Sequence, residues 1–283
     1  MCLLLLGVAA HPDYALVVAA NRDEVYDRDA DPAGFWPDAP QVLGGRDRQA
    51  GGTWLAVTTS GRFAAVTNVR DLTMPVPENA PSRGFLPTDF VRGDNSPRRY
   101  ATAVSERGGT YPGFNLVAGT TEEIWHCDNS RGDNSRGDNS RGDNSRGDNS
   151  RVHGGPTRLS PGVHAISNAR LDTPWPKAMR GSAGLMALLQ QPSLDPEDLL
   201  ALLADRTVAP DGALPDTGVG RELERTLSPM FVAPMPFGDQ IYGTRCSTAL
   251  LIHRNGHGLL VERSFAPDRR PGSTRRVEFE VRR

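Results

Sequence analysis

The stretch that decides the fold lies at the start of the chain and reads CLLLLGVAA (residues 2–10), HPD (11–13), YALVVAA (14–20) and NRDE (21–24). Two apolar runs joined by a short polar turn that contains proline are typical of a β-hairpin. Because both runs are almost continuously apolar, we predict that this hairpin is buried. The polar NRDE segment is predicted to follow the second strand.

Further strand pairs are predicted around a helical middle. Hairpins are expected over residues 52–57 with 62–68, 114–118 with 123–127, and 244–253 with 258–264, and a strand over 162–168. Helices are expected over 88–107 with a break near Pro97, over 184–189 and over 195–205, with Asp172-Thr173-Pro174 as another helix start. Residues 27–40 and 208–220 are predicted loops, and the basic segment 263–283 a solvated end. The order of strands, helices and strands indicates a layered α+β domain.

A five-residue unit, DNSRG, repeats between residues 128 and 151. The repeat contains no apolar residue. It therefore has no apolar surface whose burial could offset the conformational entropy lost on ordering. We predict a disordered loop, 128–151, inserted into one domain of residues 1–283. The Arg-Gly-Asp tripeptides in it raise an adhesion hypothesis, but expansion of a short coding repeat is the favoured interpretation.

Composition limits the classes of partner. The formal net charge is -2, which gives no overall attraction to nucleic acid or membranes. The three cysteines, Cys2, Cys127 and Cys246, form neither a disulfide framework nor a metal-binding spacing. No stretch approaches the roughly 20 apolar residues of a membrane-spanning helix. We expect a soluble, cytoplasmic protein with no metal site, no required cofactor and no nucleic-acid partner.

Cys2 is the residue with the most distinctive chemistry. If Met1 is removed, Cys2 carries both a thiol and a free α-amine. A thiolate is a strong nucleophile, and an α-amine titrates near pH ~8, so the amine can act as the base beside the thiol. The alternative is that Cys2 is a small residue that fills the first strand.

The sequence resembles the NRDE family, also called the transport and Golgi organisation family. The resemblance is carried by NRDE and, in the same order along nearly the whole chain, by GGTW (51–54), TN (67–68), SRG (82–84), GFNL (113–116), GVH (162–164), SN (167–168), LDTPWPK (171–177) and TRCST (244–248). The repeat of residues 128–151 departs from the family pattern. Members of this family have been linked to haem movement and to lipid or acyl-CoA handling, which implies a carrier role.

The layout is also similar to N-terminal-nucleophile hydrolases of the choloylglycine and penicillin-acylase type. This resemblance implies a four-layer αββα sandwich in which a processed N-terminal cysteine attacks a linear amide. Carried over by position, it implies Cys2 as nucleophile, Asp23 as the acid that orients its amine, Asn68 in the oxyanion hole, Asn168 as a second asparagine near the substrate carbonyl, and Arg245 as a late-strand arginine. Arg22 lies one position from where the acylases would place their first arginine, so its role stays open.

The same residues suit amide cleavage on chemical grounds. A cysteine that cleaves an amide needs a proton acceptor and donors for the developing oxyanion, and a nearby arginine would lower the pKa of its thiol. Asn21, Arg22 and Trp54 are added as candidates for substrate binding. The alternatives are turn capping by Asn21 and Asn68, an ion pair between Arg22 and Asp23, and core packing of Trp54.

Three functions therefore compete. The first is a cysteine hydrolase or acyltransferase that acts on a linear amide or acyl substrate. The second is a non-catalytic carrier of haem, lipid or acyl-CoA. The third is a structural protein that displays the repeat loop.

Overall fold

Two antiparallel β-sheets form the centre of the protein, whose computed structural model describes residues 3–130, 155–268 and 271–282. The first sheet contains β1 (Leu3–Val8), β2 (Tyr14–Val25), β10 (Gly162–Ile166), β11 (Met235–Phe237), β12 (Gln240–His253), β13 (His257–Phe265) and β14 (Pro271–Glu280). The second contains β3 (Ala30–Trp36), β4 (Ala39–Asp47), β5 (Leu55–Thr58), β6 (Phe63–Asn68), β7 (Phe114–Gly119), β8 (Ile124–Asp128) and β9 (Thr157–Arg158). The first sheet has the order β10-β1-β2-β12-β13-β14, with β11 paired to β12, and the second runs in chain order.

The helices lie on the outer faces of the two sheets. They are α1 (Phe85–Arg92), α2 (Pro97–Glu106), α3 (Pro176–Leu188) and α4 (Pro196–Leu203). A short fifth helix, α5 (Arg221–Thr226), follows them in the chain. Ser96 and Asp195 cap α2 and α4 by accepting hydrogen bonds from backbone N–H groups, and each is followed by proline at the first helical position. Within the described ranges no helix has the length and apolar character needed to cross a membrane.

Strand β1 shows why the sheets are covered on both faces. Leu4 and Leu6 pack into the core between the sheets, whereas Leu3 and Leu5 pack into the core beneath α3 and α4. Side chains of a strand alternate between faces, so a run of leucines can be buried only if both faces are covered. All four are fully buried, which contributes roughly 2 kcal/mol each.

A third core lies between the second sheet and α1 and α2, where Phe90 and Val104 pack against Phe114. The protein thus has four layers, in the order helices, sheet, sheet and helices, with one core between each neighbouring pair of layers. The predicted α+β class and αββα sandwich are confirmed. The four-layer order is also the one that the resemblance to N-terminal-nucleophile hydrolases implied.

Several predicted boundaries were wrong where strands are polar. Strand β2 continues to Val25, so NRDE lies inside the strand rather than after it. Residues 27–40, predicted as a loop, contain β3 and the start of β4, and the predicted solvated end contains β14. Among the described strands, β14 pairs only with β13, and β3 only with β4. Edge strands carry proline and charged residues because only one side of each is paired, and this composition resembles that of a loop.

Asp172 does not begin a helix, contrary to the prediction. It has a positive φ of 56°, and its carboxylate accepts a hydrogen bond from the Ala165 N–H and lies 2.8 Å from His164 Nδ1. Helix α3 begins at Pro176 instead. The Asp172 carboxylate is bound to β10 and is therefore not available to cap a helix N-terminus.

The first residues of the predicted insertion belong to the folded domain. Asp128 ends β8, and the side chain of Asn129 accepts a hydrogen bond from Phe114 N and donates to Gly108 O. The start of the insertion at residue 128 is therefore corrected, because Asp128 and Asn129 of the first repeat unit have tertiary roles that their sequence does not reveal. Residues 131–151 lie outside the described residues.

Candidate functional site

The end of β2, the end of β6 and the segment of residues 80–84 enclose a cavity of about 450 Å³. Its lining includes Arg22, Trp54 and Asn68, which the sequence singled out, together with Glu24 and Arg83. The lining is dominated by charged and amide groups, so the cavity suits a polar or charged ligand.

Two glycines bring the walls of this cavity together. A Cβ atom on Gly52 would lie 2.5 Å from the backbone carbon of Gly84, so only glycine permits the two segments to cross this closely. The crossing is held by a hydrogen bond from Thr53 N to Gly84 O at 3.1 Å. It places Ser82 and Arg83 beside Trp54 in the cavity wall.

Asp23 is buried near the end of β2, and a threonine fixes its carboxylate. Thr244 Oγ1 donates a hydrogen bond to Asp23 Oδ1 at 2.6 Å and accepts one from Val232 N at 2.9 Å. Thr244 lies opposite Asp23 in the pairing of β12 with β2 and is fully buried. The carboxylate is therefore held rigidly, as an acid that orients a neighbouring amine must be.

Arg22 lies over the face of Trp54, with its guanidinium carbon 4.3 Å from the ring centroid. The ring in turn packs against Gly45, where a Cβ would lie 2.2 Å from Trp54 Cζ2. Arg22 Nη2 is 3.9 Å from Glu24 Oε2 and 3.8 Å from Asp47 Oδ2. Trp54 thus serves both the core and the cavity wall, and the carboxylates nearest to Arg22 are those of Glu24 and Asp47 rather than Asp23.

Arg245 holds the turn that follows β2. Its Nη1 donates hydrogen bonds of 2.9 Å to the carbonyl oxygens of Val25, Tyr26 and Arg28. The residue sits in a β-bulge, because Thr244 pairs with Asp23 and Cys246 already pairs with Arg22. Burial lowers the pKa of Arg245, and the nearby charge of Arg22 lowers it further. The late-strand arginine therefore fixes the backbone beside the site and does not line the cavity.

The structure corrects the substrate-binding prediction for Asn21. Its Nδ2 donates to Leu203 O and Met230 O at 2.9 and 2.8 Å, and its Oδ1 accepts a hydrogen bond from Ser247 Oγ at 2.6 Å. The side chain is fully buried on the face of β2 opposite to that of Arg22. Asn21 anchors the end of α4 to the sheet.

The two asparagines have different surroundings. Asn68 ends β6 and lines the cavity, and its side-chain amide makes no hydrogen bond with any other described residue. Asn168 is buried, and its Nδ2 donates to Asn68 O at 3.3 Å. It also lines a second cavity, of about 1000 Å³. Asn68 can therefore donate into the first cavity, as an oxyanion donor must.

A buried chain of hydrogen bonds supports the Asn168 segment from behind. Thr67 Oγ1 donates to Ser167 O at 3.0 Å, and Asn115 Nδ2 donates to Ala169 O at 2.9 Å. His126 Nε2 lies 3.1 Å from Asn115 Oδ1. Burial lowers the pKa of His126 to about 4, so the imidazole is neutral near pH 7. His126 is thus a packed histidine that orients the Asn115 amide.

The thiols fall into two groups. Cys2, the predicted nucleophile, lies outside the described residues; Leu3, which follows it, pairs with Asn21. Burial raises the pKa of Cys127 to about 12 and also raises the pKa of Cys246. Both are therefore inert thiols. In the part of the chain that the structure describes, no three His, Cys, Asp or Glu side chains are grouped to hold a metal ion.

Comparison with known proteins identifies the family. The profile of the family described as Transport and Golgi organisation 2 matches residues 1–267. The chain belongs to this family. It is 32% identical to the human Transport and Golgi organization protein 2 homolog over 292 residues, covering 99% of each protein, and 31% identical to the mouse homolog over 275 residues, covering 94% of this chain and 93% of that protein.

A solved structure also matches this Transport and Golgi organisation 2 family member. It is a conjugated bile acid hydrolase from Clostridium perfringens, with 9% sequence identity and a TM-score of 0.43 over 98% of this chain and 92% of that one.

Sequence reasoning missed some residues that shape the site in this family member. Thr244 and Arg83 lie in stretches that carried the family resemblance, TRCST and SRG, so a signal for them existed. Arg28 and Asp47 carried no signal. They form an ion pair of 2.6 Å in the cavity wall, where Arg28 precedes β3 and Asp47 ends the neighbouring strand β4.

Proposed function

We propose that this chain is a cysteine hydrolase or acyltransferase that acts on a linear amide or acyl substrate, with Cys2 as nucleophile after removal of Met1. One observation carries the proposal: Asn68 and Arg22 line one cavity, and Arg22 directly follows Asn21, the β2 residue that pairs with Leu3. The residue that precedes Leu3 in the chain is the proposed nucleophile.

The reaction follows the chemistry of an amine-assisted thiol. The Cys2 amine takes the thiol proton as Sγ bonds to the substrate carbonyl carbon, and it then gives a proton to the leaving amine as the C–N bond breaks. The thioester that remains is cleaved by water, which releases a carboxylic acid and restores the thiol. An alcohol or amine in place of water would give acyl transfer.

The described residues support this reaction in three ways. Asp23, fixed by Thr244, is suited to orient the protonated amine. The amide of Asn68 is suited to donate to the oxyanion, a contribution of about 3–4 kcal/mol to transition-state stabilisation. The positive charge of Arg22 would favour the thiolate form of a nearby cysteine.

The decisive experiment begins with intact mass spectrometry of the purified protein. Loss of Met1 is expected. Turnover of a panel of p-nitroanilides and p-nitrophenyl esters is then compared between wild type and Cys2→Ala, and labelling by iodoacetamide is followed near pH 7. The inert thiol Cys246 supplies the matched control, because Cys246→Ala should leave turnover and labelling unchanged. Retained Met1, or turnover that survives Cys2→Ala, contradicts the proposal.

One observation favours a carrier function as the second candidate. The second cavity, of about 1000 Å³, is large enough for a sizeable ligand, and its lining includes Leu72, Arg70 and Arg170. A carrier predicts a co-purifying ligand, visible as a Soret band or as extracted lipid, that Cys2→Ala does not remove. Among the described residues that line the two cavities there is no His, Cys, Met or Tyr to serve as an axial haem ligand. Haem binding and a cytoplasmic location stay predictions.

A further inference from the structure

Arg22 differs from the neighbouring Arg28 and Arg245. Its side chain is only 4% exposed, yet none of its N–H groups makes a hydrogen bond with another residue of the described ranges 3–130, 155–268 and 271–282. Arg28, by contrast, is paired with Asp47 at 2.6 Å, and Arg245 donates to three carbonyl oxygens. A guanidinium has five donors, and burying them without acceptors is unfavourable.

The two carboxylates near Arg22 accept their hydrogen bonds from other groups. Asp47 Oδ2 accepts a hydrogen bond from Arg28 Nε, and Asp47 Oδ1 accepts hydrogen bonds from Gln49 N and Ala50 N. Glu24 Oε1 accepts a hydrogen bond from Val25 N at 3.0 Å. Their oxygens stay 3.8–3.9 Å from Arg22 Nη2, beyond hydrogen-bond distance. The guanidinium is therefore left with donors for a group that enters the cavity.

The position of the guanidinium is fixed in advance. It lies 4.3 Å over the Trp54 ring, and Trp54 is held against Gly45. Three arginines and two carboxylates line the cavity, so its lining carries a net positive charge. A preorganised guanidinium in such a place matches the geometry of a carboxylate or phosphate, which can accept two parallel N–H···O bonds.

We propose that Arg22 forms an anion subsite of this cavity, which binds a carboxylate or phosphate group on the ligand. This inference rests on the proposed function, and it makes the substrate an anionic amide or acyl compound. The reacting carbonyl of the substrate faces Asn68, and its anionic group is bound by Arg22. An arginine that acted only on the cysteine thiol would change the reaction rate. As an anion subsite, Arg22 also determines which ligands bind.

The test measures binding without turnover. In the Cys2→Ala protein, isothermal titration calorimetry compares glutaranilic acid, which carries a carboxylate, with valeranilide, its neutral counterpart of the same chain length. We expect the anion to bind about tenfold or more tightly. Arg22→Gln should reduce the affinity for the anion to that for valeranilide, and Arg22→Lys should retain an intermediate preference.

The matched control is Arg46→Gln. Arg46 also lies over a tryptophan, 4.9 Å from the Trp36 centroid, and is paired with Asp38 outside this cavity. The Arg46→Gln substitution should leave the preference for glutaranilic acid over valeranilide unchanged. Thermal unfolding checks that Arg22→Gln is folded; if it is not, Arg22→Lys alone must show a reduced preference.

The subsite is overturned if the Cys2→Ala protein with Arg22 intact binds the two anilides with equal affinity. It is also overturned if the preference for the anion survives Arg22→Gln. Competition at constant ionic strength separates the two ligand chemistries: displacement of glutaranilic acid by acetate indicates a carboxylate subsite and displacement by inorganic phosphate a phosphate subsite, whereas displacement by neither overturns the proposal. Failure of the hydrolase proposal is distinguishable, because it appears as turnover that persists in Cys2→Ala or as retained Met1, while anion preference is read from binding alone.

Discussion

The side-chain amide of Asn168 donates a hydrogen bond to the main-chain oxygen of Asn68 at 3.3 Å, and this contact separates the roles of the two asparagines. Asn168 is buried and is held by its backbone oxygen, which accepts a hydrogen bond from Arg70 N at 2.7 Å. Asn68 keeps its own amide directed to no other described residue and lines the cavity. Asn168 therefore positions the strand end from which Asn68 can act.

Replacing Asn68 with alanine should reduce kcat for Cys2-dependent turnover about 10²–10³-fold, the usual effect of removing one oxyanion donor. The melting temperature should change little, because the amide is half-buried and makes no hydrogen bond to the described residues. Steady-state kinetics and thermal unfolding measure the two effects. The paired variant Asn168→Ala should show the reverse balance, a clear loss of stability and a smaller loss of kcat. Unchanged kcat in Asn68→Ala would contradict this division of roles.

Replacing Thr244 with valine should destabilise the protein by about 2–4 kcal/mol, because it leaves the buried Asp23 carboxylate without its hydroxyl donor and Val232 N–H without its acceptor. Urea denaturation measures the loss. Thr244→Ser is the control, since serine keeps the hydroxyl and loses only a methyl group. If valine and serine are equally destabilising, the hydroxyl is not what fixes Asp23.

The layers could be predicted from the sequence because burial leaves a direct trace in it. The leucines of β1 are apolar on both faces, and the caps of α2 and α4 carry Ser-Pro and Asp-Pro. Strands β3 and β14 left no such trace, since only one of their sides is paired and their residues are largely polar. The pattern that predicts strands is one of burial, and edge strands lack it.

Residues of the candidate site were predictable only where they belong to the sequence motifs. Arg22 and Asn68 were identified, and they line the same cavity. The β-bulge at Arg245 could not be read from the sequence, and it turns this side chain onto the backbone of the β2–β3 turn. The burial of Asn21 against Leu203 depends on a contact between residues 182 positions apart. Such contacts are set by tertiary packing, which a single sequence does not display.

Acidification should reveal the burial of His126. Its pKa is lowered to about 4 in the folded protein, whereas an unfolded histidine titrates near 6.5. Between these values the unfolded chain binds a proton that the folded protein does not, so folding stability falls as the pH falls from about 6.5 to about 4. We expect wild type to lose up to about 3 kcal/mol more than His126→Gln across this window.

Urea denaturation at pH 7.5, 6, 5 and 4 measures the difference between the two proteins. Comparing them as a pair removes the titration of other groups, including His164 and Asp172, which lie near His126. Glutamine can still donate to Asn115 and carries no proton-dependent charge. Stability curves that stay parallel across the four pH values would show that His126 is protonated as readily in the folded protein as in the unfolded chain.

Glu262 should limit stability at neutral and alkaline pH. This carboxylate is buried on β13, where it accepts hydrogen bonds from Ala33 N at 2.7 Å and Thr248 Oγ1 at 3.3 Å. Burial raises its pKa in the folded protein, so its contribution to stability is fully present below the unfolded value near 4.5 and is lost as the pH rises through the folded value. Glu262→Gln keeps an oxygen for Ala33 N and removes the charge.

We therefore expect Glu262→Gln to be more stable than wild type at pH 8, and no more stable than wild type at pH 4. Urea denaturation at the two pH values measures this crossover. Thr248→Val tests the same contact from its partner side: it should destabilise both the wild type and the glutamine variant. If the variant is less stable than wild type at pH 8, the ionised carboxylate is stabilised by its neighbours, Arg22 among them, by more than burial disfavours it.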